Sequence, residues 1–185
     1  MEEKYVLLAG PKTVMHAGEK HLLYRVKAVR NIPEHGVRKG DHGGWLESYD
    51  NLSQFGDCWV GGHAMVFGHA LVTDDAKVWN SAIVLDNALV SGKAQIYGFA
   101  EISGFARVAG KARIREQAIV SGNAEIRGFA WVGDTAKVFG DALVCDDALV
   151  YGNARILGDA RIWGAARVYG DAVFESGGVS SGKFH

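Results

Sequence analysis

The stretch Gly62-His63-Ala64-Met65-Val66-Phe67 opens a six-residue repeat that continues without a slip as far as Phe174. Steps of six from Ala64 to Ala172 meet alanine at all nineteen positions. Two residues after each alanine lies Val or Ile, and Phe174 is the exception. Two residues before each alanine lies Gly, or else Asp, Asn or Glu. The unit is Gly-x-Ala-x-Val/Ile-x, and it decides the fold.

The repeat predicts short strands joined by corners. Small and aliphatic residues alternate at i and i+2, which is the period of a strand with one buried face. Gly, Asp and Asn tolerate a positive φ, so each repeat carries its own corner. A strand and corner of constant length predict coils whose strands stack in parallel. An amphipathic helix is excluded, because apolar residues at period two cannot line one face of a helix.

The repeat resembles the hexapeptide-repeat family, whose members form triangular coils of three hexads each. This resemblance implies an all-β fold, a single-stranded left-handed parallel β-helix of about 6.5 coils. The interior, lined by Ala, Val and Ile, is expected to be too narrow for a ligand. Function is therefore expected on the outer surface or at an end of the coil.

The two ends depart from the repeat. Residues 1–55 are predicted to form a small N-terminal β cap, with a strand at 21–29, which protects the open strand edge of the β-helix. The β-helix itself is predicted to span 56–174 and to end at the bulky Phe174. Residues 175–185 are rich in Gly and Ser, which predicts a flexible C-terminal tail.

Composition narrows the function classes. The 185 residues carry a net charge of −1, which favours neither a nucleic acid nor an anionic membrane as partner. We see no signal peptide and no apolar run long enough to span a bilayer. Cys58 and Cys145 lie almost five coils apart, too far for a disulfide. A cytoplasmic location is expected from these features.

A second resemblance rests on the segments 43–45 (Gly-Gly-Trp), 51–54 (Asn-Leu-Ser-Gln) and 56–59 (Gly-Asp-Cys-Trp), which run directly into the hexads. They resemble the YdcK-type hexapeptide proteins of bacteria and prophages over the whole chain. Those proteins are usually labelled acetyltransferases on the basis of their fold. The resemblance implies a phage or bacterial protein, with coenzyme A as cofactor if it transfers acyl groups.

An apolar patch is predicted on the first two coils, because residues eighteen apart stack on each other. A contiguous exposed apolar patch usually marks an interface. The N-terminal cap or a second subunit could cover it, and hexapeptide proteins, which are commonly trimers, imply a homo-oligomer. The patch consists of Met65, Phe67, Leu71, Ile83, Leu85 and Leu89.

Two sets of residues are candidates for binding a small anionic ligand. Arg155, Arg161 and Arg167 project from the last coils, one on each face, and could hold phosphates. The alternative is a solvated, ion-paired surface. Tyr151 and Tyr169 belong to a ladder along one corner, which either stacks on itself or provides a surface for sugars or bases. The other ladder positions are Trp79, Tyr97, Arg115 and Gly133.

His69 and His63 are the candidate catalytic residues. An acyltransferase needs a general base to deprotonate the acceptor during attack on a thioester. No loop interrupts the hexads, and no carboxylate is placed by spacing to orient either histidine. Zinc enzymes with this coil need three histidines per site, and no spacing supports one from His35, His42 and His63. No metal is expected.

The leading hypothesis is a non-catalytic, self-assembling β-solenoid that acts as a scaffold or sequesters a small ligand such as a nucleotide or metabolite. It needs no cofactor. The alternative is a coenzyme A-dependent acyltransferase of the hexapeptide type.

Overall fold

A computed structural model describes residues 3–185. The N-terminal region contains β1 (Tyr5–Leu7), β2 (Lys12–His16), β3 (Glu19–Ala28) and β4 (His42–Leu46). Two 3-10 helices span Pro33–His35 and Tyr49–Asn51.

Two-residue strands follow at intervals of six residues. Strands β5 to β24 are, in chain order, Trp59–Val60, Met65–Val66, Leu71–Val72, Lys77–Val78, Ile83–Val84, Leu89–Val90, Gln95–Ile96, Glu101–Ile102, Arg107–Val108, Arg113–Ile114, Ile119–Val120, Glu125–Ile126, Trp131–Val132, Lys137–Val138, Leu143–Val144, Leu149–Val150, Arg155–Ile156, Arg161–Ile162, Arg167–Val168 and Val173–Phe174. The chain ends with β25 (Gly178–Val179) and β26 (Lys183–Phe184).

These strands form three parallel sheets, and every third strand belongs to the same sheet. Within the regular region each residue pairs with the residue eighteen positions later, as Leu71 pairs with Leu89 and Leu89 with Arg107. The all-β solenoid predicted from the sequence is confirmed. We call the sheet that begins with β4 the first face, the sheet of β7 the second face, and the sheet of β5 the third face.

The corners adopt the predicted backbone conformation. All nineteen residues that lie two before an alanine of the repeat have positive φ, between 54° and 78°. Four aspartates at these corners bond to the coil above, as when Asp74 Oδ2 accepts the Gly92 N–H at 2.8 Å. Asp86, Asp134 and Asp146 make the equivalent bond. Aspartate therefore tolerates the conformation and adds a link between coils.

The core is one continuous column. Its alanines and its Val or Ile residues are inaccessible to solvent along almost the whole length, up to Ala172 at 9% exposure. Cys58 takes an alanine position in this column, as the sequence indicates, and both cysteines are free and buried.

The solenoid begins earlier than the sequence suggests. Trp45 and Leu46 of β4 pair in parallel with Met65 and Val66, and Leu52 bridges to Val72. The register here is twenty residues rather than eighteen, and it returns to eighteen where Trp59 pairs with Lys77, so the two extra residues lie between Leu52 and Trp59. This irregular coil is invisible to a search for the six-residue period.

The C-terminal segment also continues the solenoid. The sequence predicts a flexible tail at 175–185, whereas the structure pairs β25 with β22 and β26 with β23. The inward residues Phe174, Val179 and Phe184 are five rather than six residues apart, and they pack against the core. The Phe174 and Phe184 rings meet edge to face at 5.5 Å. With both ends included, the third face has eight strands, so the solenoid has about eight coils rather than 6.5.

The N-terminal cap is an antiparallel addition to the first face. Strand β3 pairs with β1, β2 and β4, and β4 continues the parallel stack. Tyr5 closes the end of the core, where its hydroxyl donates to the Leu52 carbonyl at 2.6 Å. Gly44 has no room for a side chain, because a Cβ would lie 2.5 Å from the Ala64 carbonyl oxygen. The Gly-Gly-Trp segment thus has a structural role, in letting β4 approach the first regular coil.

Asn51 is the principal polar residue inside the first coil. Its Nδ2 donates to the carbonyls of Gly68 at 3.0 Å and Ala70 at 2.9 Å. Its Oδ1 accepts from the backbone N–H groups of Glu47 and Ser48. The side chain is inaccessible to solvent, so no water can replace these bonds.

We predict that Asn51→Ala lowers the free energy of unfolding by about 2–4 kcal/mol, because it leaves several buried polar groups without partners. Chemical denaturation measures this. Asn123→Ala is the matched control, since the Asn123 amide bonds Asp141 on the exposed surface. Equal losses for the two variants would contradict this role of Asn51.

Candidate functional site

The three arginines predicted to form an anion site do not come together. Arg155 pairs on the first face, Arg161 on the second and Arg167 on the third, so they project in three directions. Tyr151 and Tyr169 do stack, with ring centroids 5.2 Å apart. Their rings are half-buried in a longer stack that ends at His185.

The two candidate histidines line different clefts. His63 lies in a cleft of about 590 Å³ between the N-terminal cap and the third face, together with His35, His42 and Trp79. Burial and the nearby Lys77 ammonium lower the pKa of His35, which favours its neutral form. No three His, Cys, Asp or Glu side chains in the described part of the chain are placed to hold a metal ion.

His69 lines a second cleft, of about 1010 Å³, between the turn joining β2 to β3 and a corner of the solenoid. The same cleft contains a histidine that sequence reasoning missed. His21 Nδ1 lies 3.0 Å from Glu47 Oε1, while Glu47 Oε2 accepts the Gly68 N–H at 2.7 Å. Glu47 is therefore fixed in place and orients His21. No spacing rule could identify this pair, because β3 and β4 lie outside the repeat.

The N-terminal cap covers most of the predicted apolar patch. Leu23 of β3 packs on Phe67 and Leu85, which are 3% and 1% exposed. Met65 and Ile83 pack against the same cluster. Leu71 and Leu89 are on the second face, outside this cluster, and remain partly exposed. The cap therefore accounts for four of the six patch residues in the single chain.

A groove on the third face is the most coherent candidate site. We call it the third-face groove; its volume is about 610 Å³ and it combines cations with aromatic rings. Arg113 and Trp131 occupy successive outward positions and are direct neighbours in the sheet. The groove is lined by Tyr97, Lys111, Arg113, Arg115, Phe129, Trp131 and Leu149.

Gly133, which has no side chain, leaves room for the Trp131 ring, and this keeps the aromatic surface of the groove continuous. The sequence shows a gap in the corner ladder at this position, but the Trp131 ring fills it. A Cβ on Gly133 would lie 3.2 Å from the Trp131 ring and 3.5 Å from Arg115 Cγ. The Arg115 guanidinium lies over the Trp131 ring, 4.1 Å from its centroid, and Tyr151 lies 6.0 Å away on the other side.

The groove is positively charged. Its lining includes three cationic residues and no carboxylate. Arg115 lies 3.8 Å from the exposed Glu116, and Lys111 lies over the Phe129 ring at 4.9 Å. Within residues 3–185, neither Lys111 nor Arg113 forms an ion pair. An exposed arginine without a carboxylate partner is able to bind an anion in bidentate fashion.

Sequence reasoning could have found this groove. The third-face residues Lys77, Gln95, Arg113 and Trp131 recur at intervals of eighteen, as the other ladders do. The corner residues Lys111 and Phe129 follow the same interval. The packing of the Trp131 ring over Gly133, by contrast, depends on the direction of the tryptophan side chain, which the eighteen-residue interval does not predict.

Comparison with known proteins does not assign this chain to a family. No protein-family model matches it, and no curated protein is significantly similar to it in sequence. No helix in the described residues is long and apolar enough to cross a bilayer.

Proposed function

We propose that this β-solenoid is a cytoplasmic, non-catalytic binding module that sequesters a small anionic ligand carrying a flat ring, such as a nucleotide. The observation that supports the proposal most directly is the third-face groove, which is lined by the unpaired Arg113 and by Trp131, its neighbour in the sheet. The arginine supplies a partner for phosphate or carboxylate, and the partly exposed edge of the indole together with the exposed Phe129 ring supplies aromatic surface for a flat ligand.

The geometry favours binding over chemistry in this groove. Its lining residues are Arg, Lys, aromatic side chains and one Leu, so it holds no carboxylate, histidine or cysteine to act as base or nucleophile. The groove is also part of a stack of parallel strands. The backbone pairing of Gln95, Arg113 and Trp131 fixes the Cα positions from which its side chains project. A rigid site reduces the entropic cost of binding.

We predict that adenosine monophosphate binds more tightly than adenosine or inorganic phosphate, because only the nucleotide engages both the ring surface and the cations. Isothermal titration calorimetry measures the three affinities. Arg113→Ala and Trp131→Ala should each weaken nucleotide binding by about tenfold.

Arg161→Ala is the matched control, because Arg161 is an exposed arginine on a different face. It should leave the affinity unchanged. Equal losses in Arg113→Ala and Arg161→Ala, or no preference for the nucleotide over phosphate, would contradict a site at the third-face groove.

We further propose that the chain assembles into a homo-oligomer, a trimer, through its second face. Leu71 and Leu89 are neighbouring outward residues there, and the cluster under the N-terminal cap does not include them. Phe105, at the adjoining corner, is 63% exposed. Exposed aromatic and aliphatic side chains in one region are typical of protein interfaces.

We predict that the double variant Leu71→Asp with Leu89→Asp dissociates this oligomer, because two buried carboxylates would be unpaired at the interface. Light scattering coupled to size exclusion gives the mass. Leu143→Asp, on the same face but away from the patch, is the control and should leave the mass unchanged. An unchanged mass in the double variant would refute this interface.

A second candidate function has its own supporting observation. His69 and the Glu47-oriented His21 share the 1010 Å³ cleft, which is an arrangement suited to a general base. This favours the alternative of a coenzyme A-dependent acyltransferase, the activity that the YdcK-type label implies. In that case turnover of acetyl-coenzyme A is expected to disappear in His21→Ala and His69→Ala but to persist in His63→Ala, whose residue lines the other cleft. Absence of turnover in the native chain would reject the alternative.

A further inference from the structure

Lys4 is buried at the N-terminal end of the core. Its side chain has no exposed surface and ends beside Cys58. Its Nζ lies 3.0 Å from Cys58 Sγ, 3.3 Å from the Phe55 carbonyl oxygen and 3.5 Å from that of Gly56. A fully buried lysine that bonds no carboxylate is rare, because desolvation of an ammonium group is costly.

The backbone holds the amine and the thiol in this arrangement. The Gln54 side chain fixes the segment from Lys4 into β1, since its Oε1 accepts the Lys4 N–H at 2.8 Å and its Nε2 donates to the Tyr5 carbonyl at 3.2 Å. Cys58 is part of the stacked repeat, and its Sγ lies near the Ser53 and Val72 carbonyl oxygens, at 3.5 and 3.6 Å. Both partners are therefore positioned before any reaction.

The electrostatic state of the pair depends on the sulfur. Burial lowers the pKa of Lys4, and burial raises the pKa of Cys58, so each environment disfavours a lone charge. The two groups stabilise each other's charged forms, while Arg30 and Asp57 act on Lys4 with opposite signs. The lowered pKa of Lys4 favours a neutral amine, whose free lone pair can attack an oxidised sulfur.

We propose that Lys4 and Cys58 form a redox-controlled covalent cross-link between the N-terminal cap and the solenoid, with hydrogen peroxide as the oxidant. In the first step Sγ attacks one peroxide oxygen, the O–O bond breaks, and the other oxygen leaves as water. The product is a sulfenic acid. In the second step Nζ attacks Sγ, the S–O bond breaks, and a second water leaves with a proton from nitrogen.

The overall change joins a thiol, an amine and one peroxide into a sulfenamide and two waters. Sulfur is oxidised by two electrons, and the peroxide is reduced. Condensation of a sulfenic acid with nitrogen is known chemistry, and a dithiol reverses it by returning the two electrons. Burial of Cys58 makes the first step slow, so its rate reports opening of the cap.

Peptide mass mapping of the full-length protein tests the cross-link. After peroxide treatment and trypsin digestion without reductant, residues 1–12 should be joined to residues 40–77, since a modified Lys4 resists cleavage. The linked mass should be about 2 Da below the sum of the separate peptides. A linked product about 16 Da heavier than the sulfenamide would also support the cross-link. It would retain an oxygen between nitrogen and sulfur and would consume a second peroxide.

The cross-link closes a chain segment from residue 4 to residue 58 and should stabilise the protein. We expect Tm to rise by about 5–10 °C on oxidation and to return on treatment with dithiothreitol. Lys4→Arg, which keeps the charge, and Cys58→Ala, which restores the residue usual at this repeat position, should both abolish the linked peptide and the rise in Tm.

Two controls separate a built site from general oxidation. Peroxide treatment in concentrated urea should give no link, because the two residues are then no longer adjacent. Cys145, which is 6% exposed and bonds no lysine amine, should be oxidised without linking. Unlinked oxidation of Cys58, equal linking in urea, or no reaction in the folded protein would each overturn the proposal.

Discussion

The constant length of the corner is the constraint on which the whole structure depends. Each repeat contains one residue with positive φ, and nineteen such residues in succession keep the coil at eighteen residues. Because the length never changes, backbone groups of one coil meet those of the next, as when the Leu71 N–H meets the Ala88 carbonyl at 2.9 Å. A one-residue slip within a strand would turn its inward residue to the outer surface. The outer surface is consequently free to vary, while the interior is not.

The sequence predicted the regular part of the fold and less of the ends. Period-two alternation and the corner residues were sufficient to predict the solenoid, because each repeat contains the residues that form its own strand and corner. The first coil carries two extra residues between Leu52 and Trp59, and the last has inward residues Phe174 and Val179 only five apart. Neither keeps the period, so tertiary packing rather than a local pattern determines them.

The candidate site shows the same division. Residues on one face could be predicted from the eighteen-residue interval, which is why Tyr151 and Tyr169 stack as their spacing indicates. The interval also shows that Arg155, Arg161 and Arg167 differ by six and so must lie on different faces. Contacts that cross from the cap to the coil, such as His21 with Glu47 and Lys4 with Cys58, depend on how the cap folds back. They required the structure.

Native mass spectrometry of the freshly purified protein tests the central claim most directly, since it reports both the number of subunits and any retained small molecule. We expect an oligomer of the native chain with an added mass that matches an anionic, ring-containing compound, and the loss of that mass in Arg113→Ala. A native chain without added mass that also fails to take up any nucleotide, or an added mass that persists in Arg113→Ala, would contradict ligand binding in the third-face groove.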